Sequence, residues 1–533
     1  MTNPSTVEAR AIVDGLLRGG VDEVVLAPGS RNGPLSIALA QAADAGRLRL
    51  HVRLDERSAS FLALGLAKRL AAPVAVVCTS GTAAAHLHAA AYEATEAGVP
   101  LLLLTADRPP SLRGRGANQT IDQRGMFGPA VLAAFDAAVA DTQPEAHWRG
   151  LVADALAAAR GNATTAPGAV HVNLPFAEPL VPADGDTAWT AALPAPVPPR
   201  APVEVARGSW ARLWPAGGAT PRGVVITSDP SQADDATALA EALGWPVLAE
   251  PGSGARRGPN AIAHYPALLA DPALRADVVV TLGRFALSRS VAAYVRSAGR
   301  HVAVGRATVD PLGTAQVQLP RLPDVRRLAP TDPEWLARWQ AADAAVPAPT
   351  GPRAWVAAAL AAVQPGDLVW YGPSSVIRYA EAVAPAVDDE VLARMNRGTN
   401  GIDGVVSSAM GAALAHARTA PESLAVGIMG DLTFLHDVNG LLVPPDSAVP
   451  RLALVVLDSD GGRIFATLEQ GADAFRPVFD RVYGTPHNRD LVAIAAAYGV
   501  HAVRVATEHD LVRELSAARA RDGLSAIVID DRG

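Results

Sequence analysis

The feature that most constrains this chain is a repeated alternation. A short unbroken apolar run ends in a turn of small or acidic residues, and an Ala-rich stretch with helical spacing follows. DEVVLAPGS, PVAVVCTSGT, VPLLLLTADRPP and GAVHVNLP follow this rhythm first, then GVVITSDP, DVVVTLG and HVAVGR. DLVWYGPSS, SLAVGIMGDLTF, LALVVLDSDGG and AIVIDD complete it. A strand with one wet face alternates apolar and polar residues, whereas a run apolar at every position needs cover on both faces. Parallel strands joined by crossover helices supply that cover. The pattern therefore predicts an α/β chain of three doubly wound parallel-sheet domains, with ligand-binding loops at the carboxyl edges of the sheets.

Two aperiodic stretches divide the chain. VPADGDTAWTAALPAPVPPRAPV reads as an extended crossing, and AAVPAPTGP closes the second block. The expected division is 1–182, a linker over 183–205, a central domain over 206–348 and a last domain over 349–533. At roughly 150 residues per domain, 533 residues suit three. No apolar stretch approaches the ~18 residues of a membrane span. The opening MTNPSTVEARAIVDGLLRGG lacks a basic region followed by an apolar core, so the expectation is a cytoplasmic protein. Cys78 is the only cysteine, which excludes disulfide frameworks and Cys-based zinc sites; within VAVVC it reads as a buried small hydrophobe. A formal net charge of -7 argues against nucleic-acid binding. Anionic substrates would then need positive charge concentrated locally, so arginines in turns carry the most information.

The strongest chemical signal lies in the last block. The run LAVGIM ends in Gly430-Asp431, and LALVVL ends in Asp458-Ser459-Asp460-Gly461-Gly462, with Asp431 and Asp458 27 residues apart. Both strand ends fall on one carboxyl edge, where carboxylates and a backbone carbonyl suit a hard divalent ion and the glycines let backbone N–H groups approach phosphate. Either turn alone is an ordinary turn; the pair points to a diphosphate held through a metal. His86 and His88 are discounted as a metal pair because residues i and i+2 of a helix point apart. GSGARRG, over 252–258, is a poor dinucleotide fingerprint.

On these turns the chain resembles the thiamin-diphosphate enzyme superfamily. The resemblance implies thiamin diphosphate and Mg²⁺ (or Mn²⁺), held by Asp431, by Asp458 or Ser459, and by the carbonyl of Asp460 or Gly461. Asp-Ser-Asp stands where Asn is usual, and Leu432 where Gly is common. Gly430, Leu432, Gly461, Ile464 and Ile402 are the implied cofactor contacts, Ile402 supporting its bent conformation. In LDERSASFLALGLAK, Glu56 is implied as the catalytic glutamate that meets N1′ of the aminopyrimidine. A carboxyl in an apolar site can share a proton with that nitrogen at neutral pH. Asp55 and Arg57 read as structural or solvated.

APGSRNGPL, TADRPPSLRGRGANQTIDQ, YGPSSVIRYAE, NRGTNGIDGVVSSAMG and GDLTFLHDVNGL narrow the resemblance. Together they are similar to the branch that makes 2-succinyl-5-enolpyruvyl-6-hydroxy-3-cyclohexene-1-carboxylate for menaquinone. That branch decarboxylates 2-oxoglutarate and adds the remaining carbanion 1,4 to isochorismate. The resemblance spans the first and last blocks and is weak in the middle one. Both substrates are dicarboxylates, for which arginine forks are the natural receptors. It implies that Ser30, Arg31, Arg108, Asn118, Gln119, Ser374, Arg378 and Arg397 face substrate, with Arg289 from the middle block. Ile464, Phe465 and Leu468 would form an apolar wall, while Arg113, Arg115 and Arg124 are expected in solvent or a lid. It also implies a homodimer or homotetramer in which Glu56 and Asp431 serve one cofactor from different subunits. The rivals are another thiamin-diphosphate 2-oxo acid decarboxylase or acetohydroxyacid synthase, and a non-catalytic binding protein on the same fold.

Overall fold

Every apolar run named above is a parallel β-strand in the computed structural model, and each of the three blocks forms its own sheet. Described are residues 3–140, 143–182, 188–195, 197, 221–285, 288–306, 309–325, 332–386 and 391–532. The first sheet contains β1 (Glu23–Leu26), β2 (Arg49–Val52), β3 (Val74–Cys78), β4 (Leu101–Asp107), β5 (Ala133–Asp136) and β6 (Ala169–Pro175). The second contains β7 (Gly223–Thr227), β8 (Val247–Ala249), β9 (Val278–Leu282), β10 (Arg300–Val304) and β11 (Val317–Leu319). The third contains β12 (Leu368–Tyr371), β13 (Leu392–Met395), β14 (Ala425–Gly430), β15 (Leu452–Asp458), β16 (His501–Val505) and β17 (Leu524–Asp530).

The first and third sheets share one topology, β2-β1-β3-β4-β6-β5 and β13-β12-β14-β15-β17-β16, while the second runs β11-β10-β9-β7-β8. Inner strands such as β3, β4 and β15 are buried at every residue, as their unbroken apolar runs require. The apolar runs do not mark β2, β5, β8, β11, β13 or β16, and these six are the edge strands of the three sheets. Five of them include half-buried or exposed positions that blur the apolar signal; β8 is buried throughout but only three residues long.

The described part of the expected linker holds one local element, a short 3₁₀ turn over Ala188–Ala192, where an extended crossing was expected. Its Trp189 donates to Gln41 (2.8 Å), which ties it to the first domain. The remainder of 183–205 falls largely outside the described residues. Among the described residues no helix is long and apolar enough to cross a membrane.

The Glu56–Leu70 and Val405–Ala417 helices join the first and third domains. They cross so closely that a Cβ on Gly65 would stand 2.0 Å from the Ser408 carbonyl oxygen, and one on Gly411 2.1 Å from that of Leu62. Around this crossing one apolar core runs from the first sheet into the third. The crossing also sets the first turn of the Glu56–Leu70 helix beside the residues that follow Asp431. Arg57 donates to the His436 carbonyl (2.7 Å), and Asn439 to Asp55 (3.0 Å).

Candidate active site

The register of β14 and β15 pairs Gly430 with Leu457, so the next residues stand side by side, Asp431 just past the end of β14 and Asp458 as the last residue of β15. Asp431 opens a short helix (Asp431–His436), and its carboxylate is 3% exposed. One oxygen accepts from the Leu432 N–H (2.6 Å), the other from the Gly461 N–H (2.8 Å). The Ser459 hydroxyl lies 3.4 Å from that second oxygen and 3.1 Å from the Gly461 carbonyl. The Ser459 hydroxyl thus lies close to both an Asp431 oxygen and the Gly461 carbonyl, three oxygens of the donor type a hard divalent ion takes. A Cβ on Gly430 would meet nothing within 4 Å, so the backbone there faces open space that a diphosphate can enter.

Asp458 has different partners. Its Oδ2 accepts from Arg532 (2.9 Å) and lies 3.4 Å from Arg504, while its Oδ1 accepts from the Asp460 N–H (3.2 Å). Asp460 sits at a positive φ of 55° and turns its carboxylate onto the backbone N–H groups of His487 (3.1 Å) and Asn488 (2.7 Å). Of the three acidic-turn residues, only Ser459 lines the cleft with Asp431. His487, unmarked in the sequence reading, closes the group: its Nε2 is 3.4 Å from Asp431 and 3.7 Å from Asp458.

The cleft is lined by Gly430, Asp431, Leu432, Ser459, Gly461 and Gly462, and by Ser374, Tyr379, Ile402, Ile464 and Phe465. Asp531 also reaches it; burial pushes this carboxyl above its ordinary range, with Arg463 opposing the shift. Ser374, at φ 67°, begins the Ser375–Val383 helix that carries Arg378. Leu468 does not line the cleft and is 36% exposed. Every described residue lining this cleft lies between Pro373 and Asp531, so its walls come from the third domain alone.

The first-domain residues gather at the carboxyl edge of their own sheet. Asp55 caps the Glu56–Leu70 helix by accepting from the N–H groups of Arg57 (2.9 Å) and Ser58 (3.1 Å), which fixes Glu56 as the first helical residue. The Glu56 carboxyl is half-buried and has no hydrogen-bond or ion-pair partner among the described residues. Arg31 follows β1 and donates to the Phe176 carbonyl (2.9 Å), with the exposed Ser30 before it. Arg108 follows β4 and donates to the Ser80 hydroxyl (2.6 Å) and the Gln119 carbonyl (2.7 Å); Gln119 in turn donates to the Ser80 carbonyl (3.1 Å). Ser80 is thus a hub that the sequence did not single out, and Asn118 beside it is exposed.

Arg113 corrects an expectation. It is 10% exposed and bound to Asp107 (3.0 Å) and Asp136 (2.9 Å), because those carboxylates need a cation where the first sheet ends. In the middle domain Arg289 is exposed at the start of a helix (Arg289–Ser297) whose other face is buried, and it lines neither the cleft above nor the one near Arg124. Arg397 reaches Glu250 (2.8 Å) and Asn400 (2.6 Å).

The fold and the third-domain oxygen cluster define the class: this is a thiamine pyrophosphate enzyme. The N-terminal TPP binding domain of that class matches residues 8–126, and its C-terminal TPP binding domain matches residues 394–529. Across 98% of both chains the fold is similar to a crystal structure of benzoylformate decarboxylase from Polynucleobacter necessarius (TM-score 0.68, 18% identity). The chain is 43% identical to a 2-succinyl-5-enolpyruvyl-6-hydroxy-3-cyclohexene-1-carboxylate synthase of Saccharopolyspora erythraea, over 99% of this chain and 96% of that protein. It is 44% identical to the synthase of that name from Thermobifida fusca, over 96% and 94%. The chain belongs to this synthase family.

Proposed function

We propose that the protein decarboxylates 2-oxoglutarate and joins the remaining four-carbon unit to isochorismate, the reaction that gives the product named in its relatives. The observation that carries this reading is the reach of the likeness, which covers 99% of the chain and so includes both site-bearing domains and the middle one. The proposed domain division is the one expected above, at 182, 205 and 348.

Bound thiamin diphosphate supplies the electron sink that lets CO₂ leave a 2-oxo acid. Asp431, the Ser459 hydroxyl and the Gly461 carbonyl would hold Mg²⁺, a reading supported by the closeness of their three oxygens. Gly430 leaves backbone open to the diphosphate, and Ile402 and Ile464 supply apolar contact. Asp458 then acts behind the site as the anion for Arg532 and Arg504, and Asp460 as a brace for the His487 loop. Glu56 holds a proton at its carboxyl for N1′ of the pyrimidine ring. Arg31, Arg108, Arg378 and Arg397 receive substrate carboxylates, and Ser30, Asn118, Gln119 and Ser374 add hydrogen bonds. Phe465 and Ile464 keep water from the reacting carbon.

The active protein is a homo-oligomer with Glu56 of one chain facing Asp431 of another. Two facts support this: the cleft takes its walls from the third domain alone, and the Glu56 carboxyl has no partner within its own chain among the described residues. Leu54 beside Glu56 is 66% exposed, and Phe475, Val478 and Val482 near the cleft are exposed too, apolar surface that a second chain would cover. The test is direct. Incubated with 2-oxoglutarate, the protein consumes isochorismate, followed by its absorbance; unchanged isochorismate with aldehyde release overturns the assignment in favour of a simple decarboxylase.

A further inference from the structure

The middle domain lines none of the cleft, yet residues of its carboxyl edge hold two elements that do the work proposed above. Glu250 directly follows β8 and is 3% exposed. It accepts from Arg397 Nε (2.8 Å) and Nη2 (3.2 Å), while Asn400 accepts from Nη1 (2.6 Å). Arg256, 3% exposed, donates to the carbonyls of Ala384 (2.7 Å), Glu381 (2.9 Å) and Ala380 (3.2 Å). Glu381 lies in the last turn of the Ser375–Val383 helix and Ala384 is its cap residue, so Arg256 serves carbonyls at the helix end, of which that of Ala380 also accepts from the Ala384 N–H. Tyr265 donates to the Glu381 carboxyl (2.8 Å) on that helix. The helix bears Arg378 and Tyr379, and Ser374 is its N-cap residue; Ser374 and Tyr379 belong to the cleft wall.

The loop bearing Arg397 is fixed from a second side. Glu93 of the first domain accepts from the N–H groups of Gly398 (2.9 Å) and Thr399 (2.7 Å), and pairs with the buried Lys68 (2.8 Å). A guanidinium has five N–H donors in a planar fork. Glu250 takes one on Nε and one on Nη2, and Asn400 takes one on Nη1. One donor remains on each terminal nitrogen, enough for a two-point contact with a carboxylate. The local charge favours such a ligand. Arg256, Arg378 and Arg397 face Glu250, Glu381 and Glu93, but Glu93 already pairs with Lys68, and burial pushes the Glu381 carboxyl up to about 7.

We propose that Glu250 is a positioning residue of the middle domain: it orients Arg397 so that the two remaining N–H groups of its fork receive a substrate carboxylate. This rests on the reading of Arg397 as a substrate contact. The middle domain is then the back support of the carboxylate receptor, with Arg256 fixing the helix that carries Arg378.

The experiment uses the full chain with thiamin diphosphate and Mg²⁺, varying 2-oxoglutarate and isochorismate in turn. Glu250→Gln is expected to raise KM for one of the two by roughly 10-fold, with little change in kcat, cofactor affinity or melting temperature. Glu250→Asp is expected to restore part of the loss, and Glu250→Gln to add nothing in an Arg397→Ala background. Unchanged or lowered KM for both substrates in Glu250→Gln overturns the proposal, as does an effect that persists without Arg397. Should Glu250→Gln fail to fold, Glu250→Asp decides, and unchanged KM values there overturn it. If Arg397→Ala itself leaves both KM values unchanged, the reading of Arg397 falls instead.

Discussion

The crossing of the Glu56–Leu70 and Val405–Ala417 helices gives a prediction whose size follows from distance. An alanine Cβ at Gly65 would lie 2.0 Å from the Ser408 carbonyl oxygen, 2.8 Å from its carbon and 2.9 Å from its Cα. Non-bonded carbons pack at about 3.5–4.0 Å. All three obstacles are backbone atoms, so no rotamer change relieves them and the helices must part by roughly an ångström. Overpacking of this kind costs about 1–3 kcal/mol. Alanine recovers at most about 1 kcal/mol of helix propensity. With rigid backbone on both sides the upper part of the range applies, and Gly65→Ala is expected to lose about 2 kcal/mol net. Scanning calorimetry of the full chain should record a melting temperature a few degrees lower. Cofactor affinity should fall with it, because the first turn of that helix, which begins at Glu56, is tied to the segment after Asp431. A Gly65→Ala protein that melts at or above the unsubstituted temperature refutes the close crossing.

Three further outcomes are expected. Glu56→Gln should still bind thiamin diphosphate, measured by calorimetric titration, and lose about 10²–10⁴-fold in turnover; near-normal turnover removes Glu56 from its role. Ser459→Ala should weaken Mg²⁺-dependent cofactor binding, whereas Asp458→Asn should chiefly lower the melting temperature by removing the carboxylate that Arg532 and Arg504 share; the reverse pattern would exchange the two roles. Burial raises the Glu381 carboxyl from 4.5 to about 7, so the native protein keeps a proton that the unfolded chain releases earlier. The stabilisation is full below pH 4.5 and is lost as pH rises through about 7, on the order of 3 kcal/mol in all. Melting temperature should therefore fall less between pH 5 and pH 8 in Glu381→Gln than in the unsubstituted chain, and equal falls would count against it.

The site was legible where its chemistry is local. Asp431 and the 458–462 turn each end an apolar run, and the pairing of Gly430 with Leu457 brings the two together. Glu56 stood out only through the likeness of LDERSASFLALGLAK to the family, and the structure adds that Asp55 before it caps the helix. Nothing local distinguished Asp458 from Ser459, since the difference lies in Arg504 and Arg532, 46 and 74 residues away from Asp458. Ser80, His487 and Glu250 were silent for the same reason: their partners Gln119, Asp431 and Arg397 lie 39, 56 and 147 residues from them.

By itself the sequence determined the class of fold and every inner strand, because a strand covered on both faces must be apolar throughout, and that demand is written into each residue of the run. It did not mark β2, β5, β8, β11, β13 or β16, whose place at a sheet edge relaxes the demand or whose length is too short to express it. Only tertiary structure decided which oxygens lie near Asp431, which arginines are already paired, and how near two helices stand at Gly65 and Gly411. Those are distances between residues far apart in the chain, fixed by packing rather than by the identity of any one neighbour.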